Sequence, residues 1–153
     1  YEPRTIHDSS LSKAIHGIVA ARCGRHDEAY RFWRAGCDID LGDAPHSSDD
    51  GIHAAATGAI WLGAVQGFAG VSVRNGELHV TPSLPRQWQR LAFPFCWQGG
   101  TLSFAMTHDT LTMTSAHAVR LFINGLAVDV EGETVFHRDG NVWRKEALCN
   151  PTR

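Results

Sequence analysis

The chain has 153 residues, of which 43% are hydrophobic and 20% charged, with a formal net charge of −2. These values are ordinary for a folded globular protein, and the absence of any cluster of Lys and Arg argues against a nucleic-acid partner or an anionic membrane surface. The longest apolar run, from Ile52 to Val71, is interrupted by His53, Thr57, Gln66 and several Gly, so it does not predict a membrane span. We therefore expect a cytoplasmic protein.

The four cysteines, Cys23, Cys37, Cys96 and Cys149, are widely spaced and form no Cys-x-x-Cys pair. Neither a zinc site nor a redox motif is indicated, and reduced, mostly packed thiols are expected. The sequence begins at Tyr1 without an initiator Met and enters motif-like sequence at once. This start predicts a fragment of a longer protein.

The first predicted helix runs from Ser10 to Cys23. Asp8 or Ser9 would cap its start, and Gly24 would follow its end as a C′ residue. Apolar residues recur at helical spacing and predict the inward face; they are Leu11, Ile15, Ile18 and Val19.

The second predicted helix runs from Asp27, its expected N-cap, to Cys37. Its inward stripe is expected to contain Tyr30, Trp33 and Cys37, flanked by Ala29 and Phe32. The segment 38–50 that follows is polar and long for a plain connection, which is typical of functional loops.

The third predicted helix extends from Gly51 to Gln66 and has almost no polar face, because small and apolar residues occupy nearly every position. Such a helix is expected to be surrounded by protein, and small residues let its neighbours approach closely. The two other predicted helices are too few to cover every side of the third. This composition therefore again predicts that the chain is part of a larger helical assembly.

The start of this third helix, Asp50-Gly51-Ile52-His53, is the first candidate site. A helix N-terminus presents backbone N–H groups that have no intrahelical partner, and it stabilises an anion, particularly beside a side-chain donor such as His53. The N-cap candidates just upstream are Ser47, Ser48, Asp49 and Asp50. The simpler interpretation is a cap next to a solvated histidine.

The second candidate site is the start of the first helix, His7-Asp8-Ser9-Ser10-Leu11-Ser12. A Ser/His/Asp nucleophile is disfavoured, because these neighbours lie side by side along the chain and no nucleophile-elbow pattern is present. Taken alone, the segment is best interpreted as an N-cap cluster. Two helix starts rich in hydroxyl and imidazole donors together favour an oxyanion site, with phosphate as the anion.

After Gly70 the apolar residues alternate, which predicts strands. Two Asn-Gly pairs, Asn75-Gly76 and Asn124-Gly125, predict hairpin turns. Further strands are expected from the alternating sets Leu91/Phe93/Phe95/Trp97, Leu102/Phe104/Met106, Leu111–Thr114, Val119/Leu121/Ile123 and Leu126/Val128/Val130, with a weak pattern at Val142-Trp143. An antiparallel sandwich is the expected fold of this part.

Three segments resemble glycoside hydrolase family 65, the maltose, trehalose and kojibiose phosphorylases. They are Tyr1 to Ser12, Asp50-Gly51-Ile52-His53 and Gly67-Phe68-Ala69-Gly70-Val71, and the likeness is specific through Pro85. Some members carry Thr-His or Thr-Lys where this chain has Ser48-Asp49. The resemblance implies an α+β chain in which residues 1–70 are the last helices of an (α/α)₆ catalytic barrel and residues 71–153 are a small C-terminal antiparallel β-sandwich.

The resemblance also implies a reaction, the inverting phosphorolysis of an α-glucosidic bond to give β-glucose 1-phosphate and a released sugar. Ser9, Ser10 and His53 fall where the family holds phosphate, and Gly51 shapes the loop. The general-acid Glu of the family lies upstream of Tyr1, and neither Glu2 nor Glu28 replaces it. No catalytic residue, metal or cofactor is therefore expected in this chain, and the isolated fragment is expected to be inactive.

The implied partners are an α-linked disaccharide and inorganic phosphate, and a homodimer of the full-length enzyme is left open. Two alternatives remain at this point. One is an inverting α-glycoside hydrolase of the same family, and the other is a non-catalytic carbohydrate-binding or interaction module built on the sandwich. In the second case an exposed Trp88, Trp97 or Trp143 would form a sugar platform.

Overall fold

A computed structural model describes Arg4, residues 9–42 and residues 51–146. The chain divides into two compact units, Tyr1–Val71 and Ser72–Arg153. The described helices belong to the first unit and the described strands to the second. Each unit has its own arrangement of elements.

Helix α1 comprises Ser10–Arg22, close to the predicted range. Its N-cap is Ser9, whose hydroxyl oxygen accepts the amide N–H of Leu11 at 3.3 Å. Cys23 is the C-cap, and Gly24 follows with a φ of +74°. The predicted start and the predicted glycine end of this helix are both confirmed.

The predicted inward face of α1 is wrong. Leu11, Ile15 and Val19 are exposed, and only Ile18 of the predicted set is buried. The buried residues of α1 are mostly small: Ala14, Gly17, Ile18, Ala20 and Ala21. A Cβ on Gly17 would lie 3.3 Å from the carbonyl oxygen of Ala29. Close approach of the second helix therefore selects the small side of α1 and leaves its larger aliphatic stripe uncovered within this chain.

Helix α2 comprises His26–Leu41, with Arg25 as its N-cap, and is longer than predicted. Asp27 lies in the first turn instead of capping it; both positions suit a carboxylate because the helix dipole favours negative charge there. The helix continues past Cys37, supported by an ion pair between Arg34 Nε and Asp38 Oδ1 at 3.2 Å. Ala29 and Cys37 are buried, as predicted, and Tyr30, Phe32 and Trp33 are half-buried.

Helix α3 comprises Ala54–Leu62 and continues into a π-helical segment, Gly63–Phe68. The predicted start at Gly51 is wrong, because Gly51 has a φ of +113° that a right-handed helix does not allow. Among the residues that the structure describes, one side of α3 is buried at Ala56 and Ala59, whereas Trp61 is half exposed.

Trp33 joins α2 to the junction of α3 and the π-helical segment. Its indole Nε1–H donates to the carbonyl oxygen of Ile60 at 3.0 Å. A Cβ on Gly63 would lie 2.8 Å from Trp33 Cδ1, so only glycine leaves room for the ring. In the π-helical turn a backbone N–H pairs with the carbonyl oxygen five residues earlier instead of four. Next to this change in pairing, the indole of Trp33 donates to the carbonyl oxygen of Ile60.

The contacts also give the directions of the three helices. A connection of three residues, 23–25, makes α1 and α2 antiparallel neighbours. Asp40 contacts His53 and Trp33 contacts Ile60, so α3 runs antiparallel to α2. Helices α1 and α3 are therefore parallel, and both of their N-termini lie at the end of the unit where α2 terminates.

The described part of the second unit, residues 72–146, contains seven strands. They are β1 (Ser72–Arg74), β2 (Glu77–Val80), β3 (Leu91–Trp97), β4 (Gly100–Met106), β5 (Thr110–Ile123), β6 (Leu126–Asp139) and β7 (Val142–Lys145). They form one hydrogen-bonded sheet with the path β1-β2-β5-β4-β3, and β6 joins β5 to β7. All pairs are antiparallel except β2 with β5.

Both predicted Asn-Gly turns are confirmed, since Asn75, Gly76, Asn124 and Gly125 all have positive φ. The prediction of two separate strands at Leu111–Thr114 and Val119–Ile123 is wrong, because both belong to β5, which has a register shift between Ser115 and Val119. On β5 this bulge separates the part that pairs with β4, Leu111–Ser115, from the part that pairs with β2, Phe122 and Ile123. Strand β6 extends beyond the predicted set, past Val130 to Asp139. One face of the sheet is buried, and its core includes Leu78, Phe104, Met106, Leu111, Met113, Leu121, Ile123, Val130 and Phe136.

Candidate functional site

The best-defined polar cluster of the helical unit joins the end of α2 to the start of α3. The carboxylate of Asp40 approaches His53 twice: Oδ1 lies 2.8 Å from the ring Nδ1, and both oxygens accept the backbone N–H at 3.3 and 3.2 Å. The hydroxyl of Thr57 donates to Oδ2 at 3.3 Å. The side chain of Asp40 is only 10% exposed, whereas that of His53 is 39% exposed.

The electrostatics of this cluster favour an ionised carboxylate. The hydrogen bond from the His53 side chain is the main cause that lowers the pKa of Asp40 from its ordinary value, and the His53 amide and the Thr57 hydroxyl act in the same direction. Burial opposes them. A carboxylate that accepts several hydrogen bonds is an anion already placed at the start of α3, where the helix dipole favours it.

The sequence prediction for this helix start needs one correction. His53 was expected to offer its imidazole together with a free backbone N–H, but Asp40 accepts that N–H. The amide of Ala54 donates to the carbonyl oxygen of Ile52, and the first intrahelical bond joins the Thr57 amide to the His53 carbonyl. What His53 can offer an outside anion is therefore its partly exposed ring, through Nε2.

Asp40 was missed at the sequence level, although a signal for it exists. Trp33, Cys37 and Asp40 recur at i, i+4 and i+7, so the carboxylate continues the inward stripe of α2. A carboxylate on an inward stripe needs a partner, and His53 is a histidine near the start of the next helix. The predicted helix ends at Cys37 and therefore does not include Asp40, whereas the observed helix continues to Leu41.

The other predicted site residues lie at the start of α1. Ser9 is exposed and caps the helix through its hydroxyl, and Ser10 is the first helical residue and half-buried. Because α1 and α3 are parallel, this start lies at the same end of the helical unit as His53. Gly51, the fourth predicted residue, is exposed and precedes α3 with its positive φ.

Several residues named in the sequence analysis fall outside the part of the chain that the structure describes. They are Glu2, His7, Asp8, the cap candidates Ser47, Ser48, Asp49 and Asp50, and Cys149. Glu28 is described and forms ion pairs with Arg25 and Arg31 on α2. It is therefore engaged with its own helix.

Of the described cysteines, Cys37 is buried and burial raises the pKa of its thiol, but Cys23 and Cys96 are exposed. The expectation of mostly packed thiols is thus wrong for the described part of the chain. Among residues 9–42 and 51–146, no group of three His, Cys, Asp or Glu side chains could hold a metal ion. None of the helices there is both long and apolar enough to cross a membrane.

The sheet unit carries an open groove of about 630 Å³ over β3, β4 and β5. Its walls include Arg90, Pro94, Thr114 and Glu133. The three tryptophans considered as a sugar platform are not exposed: Trp143 is buried in the core, and Trp88 and Trp97 are half-buried. None of these three tryptophans, all of them in the described part of the sheet unit, is the exposed indole proposed as a sugar platform.

Comparison with known proteins gives two family matches. Residues 1–62 match the glycosyl hydrolase family 65 central catalytic domain, and residues 71–130 match the C-terminal domain of the same family. A solved structure described as a candidate kojibiose phosphorylase from the human microbiome superposes with a TM-score of 0.85 at 28% identity. That superposition covers 93% of this chain and 21% of the other.

Among curated relatives, the kojibiose phosphorylase of Escherichia coli strain K12 is 63% identical over 136 residues, which cover 89% of this chain. The alpha,alpha-trehalose phosphorylase of Thermoanaerobacter brockii is 40% identical over 111 residues, covering 72% of the chain. The chain spans only 18% and 14% of the lengths of these two relatives.

Proposed function

The chain belongs to glycosyl hydrolase family 65, and from this premise we propose that it is part of an inverting disaccharide phosphorylase. In this reaction a phosphate oxygen attacks the anomeric carbon of an α-linked glucose while a carboxylic acid protonates the leaving oxygen on the opposite side. The glycosidic bond breaks, and β-glucose 1-phosphate and a free sugar leave. The general acid lies upstream of Tyr1, outside this chain.

The role of this chain is to hold phosphate with Ser9, Ser10 and His53. The observation that carries this proposal is that α1 and α3 start at the same end of the helical unit, because both are antiparallel to α2. Two serine hydroxyls and the imidazole then approach one anion from two helix starts, where the dipoles also favour negative charge. Gly51 allows the sharp entry into α3.

The helices α1 to α3 belong to an (α/α)₆ barrel completed by the rest of the enzyme. The exposed aliphatic stripe of α1 and the half-exposed Trp61 on α3 support this assignment, because a contiguous apolar surface of this kind is normally covered. The sheet unit is the C-terminal β-sandwich of that enzyme. The cytoplasmic location and the homodimer stay predictions.

Kojibiose is the first disaccharide to test, because the 63% identical relative is named a kojibiose phosphorylase. The full-length protein should cleave its disaccharide only when inorganic phosphate is present, releasing glucose and glucose 1-phosphate in equal amounts. The anomeric proton coupling in the NMR spectrum of the first product should be that of the β-anomer. No cofactor needs to be added.

The hydrolase alternative gives a different result in the same assay. A hydrolase releases two glucose molecules at the same rate with or without phosphate, and glucose 1-phosphate does not accumulate. That outcome would overturn the phosphorylase proposal while leaving the family membership intact.

A further inference from the structure

Asp40 holds His53 in a way that determines which ring nitrogen faces outward. Its Oδ1 lies 2.8 Å from Nδ1, and both of its oxygens also accept the His53 backbone N–H. Ring and backbone of the same residue are thus bound to one carboxylate. Rotation of the imidazole about its side-chain bonds would break the Nδ1 contact, so the ring has a defined direction.

The protonation of the ring follows from this contact. A carboxylate oxygen only accepts, so the nitrogen facing it, Nδ1, must carry a proton. Nε2 then remains as the outward nitrogen, and when the ring is doubly protonated Nε2–H is a charge-assisted donor to phosphate. The lowered pKa of Asp40 keeps the carboxylate in its accepting form.

The arrangement also separates two negative groups. A phosphate at Nε2 and the carboxylate at Nδ1 would lie on opposite sides of one imidazole, so the ring separates the two negative groups. Without the ring, an anion bound at the start of α3 would face Asp40 directly. The pair therefore makes phosphate binding at this helix start depend on His53.

We propose that Asp40 is a positioning residue for phosphate binding, which holds His53 with Nδ1 protonated and Nε2 directed to the anion. This inference rests on the phosphate role proposed above for His53. Asp40 does not touch phosphate itself, and it acts through the imidazole. Thr57 supports it by donating its hydroxyl to Oδ2 at 3.3 Å.

Asp40→Asn in the full-length protein is the main test. The asparagine carbonyl can still accept the backbone N–H of His53, so the start of α3 keeps this bond, but the negatively charged carboxylate that faces Nδ1 is lost. The Michaelis constant for inorganic phosphate should rise about tenfold, with little change for the disaccharide. Calorimetric titration with inorganic phosphate should show the same loss of affinity. Asp40→Glu keeps the negative charge and should therefore bind inorganic phosphate more tightly than Asp40→Asn, but less tightly than the wild type.

Asp38→Asn is the matched control. Asp38 lies on the same helix, and its carboxylate pairs with Arg34 instead of with a histidine. The same chemical change there should leave the Michaelis constants for both substrates within about twofold of wild type. An equal loss of phosphate affinity in both variants would overturn a specific role for Asp40.

Thr57→Val gives a second route if Asp40→Asn does not fold. Valine keeps the shape of threonine on this exposed helix position and removes the hydroxyl, which lies 3.3 Å from Asp40 Oδ2 and 3.3 Å from the carbonyl oxygen of His53. This substitution should raise the Michaelis constant for inorganic phosphate about two- to fivefold. If Asp40→Asn folds and binds phosphate like wild type, or if it fails to fold and Thr57→Val has no effect, Asp40 is not a positioning residue.

His53→Ala separates this inference from the proposed function. If His53→Ala weakens phosphate binding and Asp40→Asn does not, only the inference fails. If neither variant changes phosphate binding although cleavage still requires phosphate, the phosphate role of His53 fails and the inference fails with it.

Discussion

At the residue scale, His53 has a structural role and a proposed chemical role. Its backbone N–H and Nδ1 are both bound by Asp40, which ties the start of α3 to the end of α2. Its partly exposed ring leaves Nε2 for an anion. The proposed anion site at this helix start therefore depends on a side chain whose direction is set by a second residue, in addition to the dipole.

His53→Ala in the full-length protein should raise the Michaelis constant for phosphate about 10- to 100-fold, because one hydrogen bond to a charged group is lost. The disaccharide constant should change much less. His26→Ala is a suitable control, since His26 is an exposed residue at the opposite end of the helical unit. Initial rates measured over a series of phosphate concentrations give both constants, and equal effects of the two variants would contradict a phosphate role.

Ser9 allows capping and phosphate binding to be separated. Ser9→Ala should lower the stability of the helical unit by about 1 kcal/mol through loss of the cap on the Leu11 amide. Ser9→Asp should restore the cap but weaken phosphate binding at least about tenfold, because it adds a negative charge beside the anion. Thermal unfolding and phosphate titration measure the two effects. Tight phosphate binding by Ser9→Asp would exclude Ser9 from the site.

At the element scale, the junction of α3 and the π-helical segment connects the site to the packing of α2. The indole of Trp33 occupies the space beside Gly63 and donates to the carbonyl oxygen of Ile60. Trp33 and Asp40 lie on the same stripe of α2. Asp40 contacts the start of α3 at His53, and Trp33 contacts its last turn at Ile60. Packing at Gly63 thus helps to hold His53 against Asp40.

Gly63→Ala should destabilise the protein by about 1–3 kcal/mol, because the new Cβ would lie 2.8 Å from Trp33 Cδ1 and the ring must move. Gly36→Ala is the matched control, since a Cβ on Gly36 meets no atom within 4 Å. That change should be neutral or stabilise α2 by up to about 1 kcal/mol. Thermal midpoints of the two variants give the comparison, and similar midpoints would contradict the packing argument.

Elements set by local chemistry could be predicted from the sequence. The Asn-Gly turns at Asn75 and Asn124 need only two residues with positive φ, and the Ser9 cap needs only a hydroxyl before a helix. Features that depend on distant partners were missed. The contact of Asp40 with His53 spans a 13-residue separation, and the parallel pairing of β2 with β5 joins His79 to Phe122. Helical spacing places Asp40 on the inward stripe of α2 but does not identify His53 as its partner, and the pairing of β2 with β5 leaves no periodic signal in the chain.

The inward face of α1 shows why apolar spacing alone was insufficient. Leu11, Ile15 and Val19 have the spacing of a buried stripe, yet they are exposed within this chain, and Gly17 instead meets α2. Both sides of α1 are apolar, so periodicity could not distinguish the side that packs on α2. The small residues indicate the packed side better than the large apolar ones do: Gly17 of α1 lies against α2, and Ala56 and Ala59 are the buried residues of α3.

At the scale of the whole molecule, the chain consists of two units and spans 18% of the length of its Escherichia coli relative. The helical unit carries one wall of the proposed phosphate site, and the general acid is proposed to lie upstream. The isolated chain should therefore cleave no disaccharide at any phosphate concentration. Release of glucose 1-phosphate by the chain alone would contradict the assignment of the acid.

The most direct test of the phosphate wall is a crystal structure of the full-length protein with bound inorganic phosphate. The phosphate oxygens should lie within hydrogen-bond distance of His53 Nε2 and of the hydroxyls of Ser9 and Ser10, while Nδ1 stays on Asp40. Phosphate bound elsewhere in the catalytic domain, with these three side chains out of reach, would contradict the account.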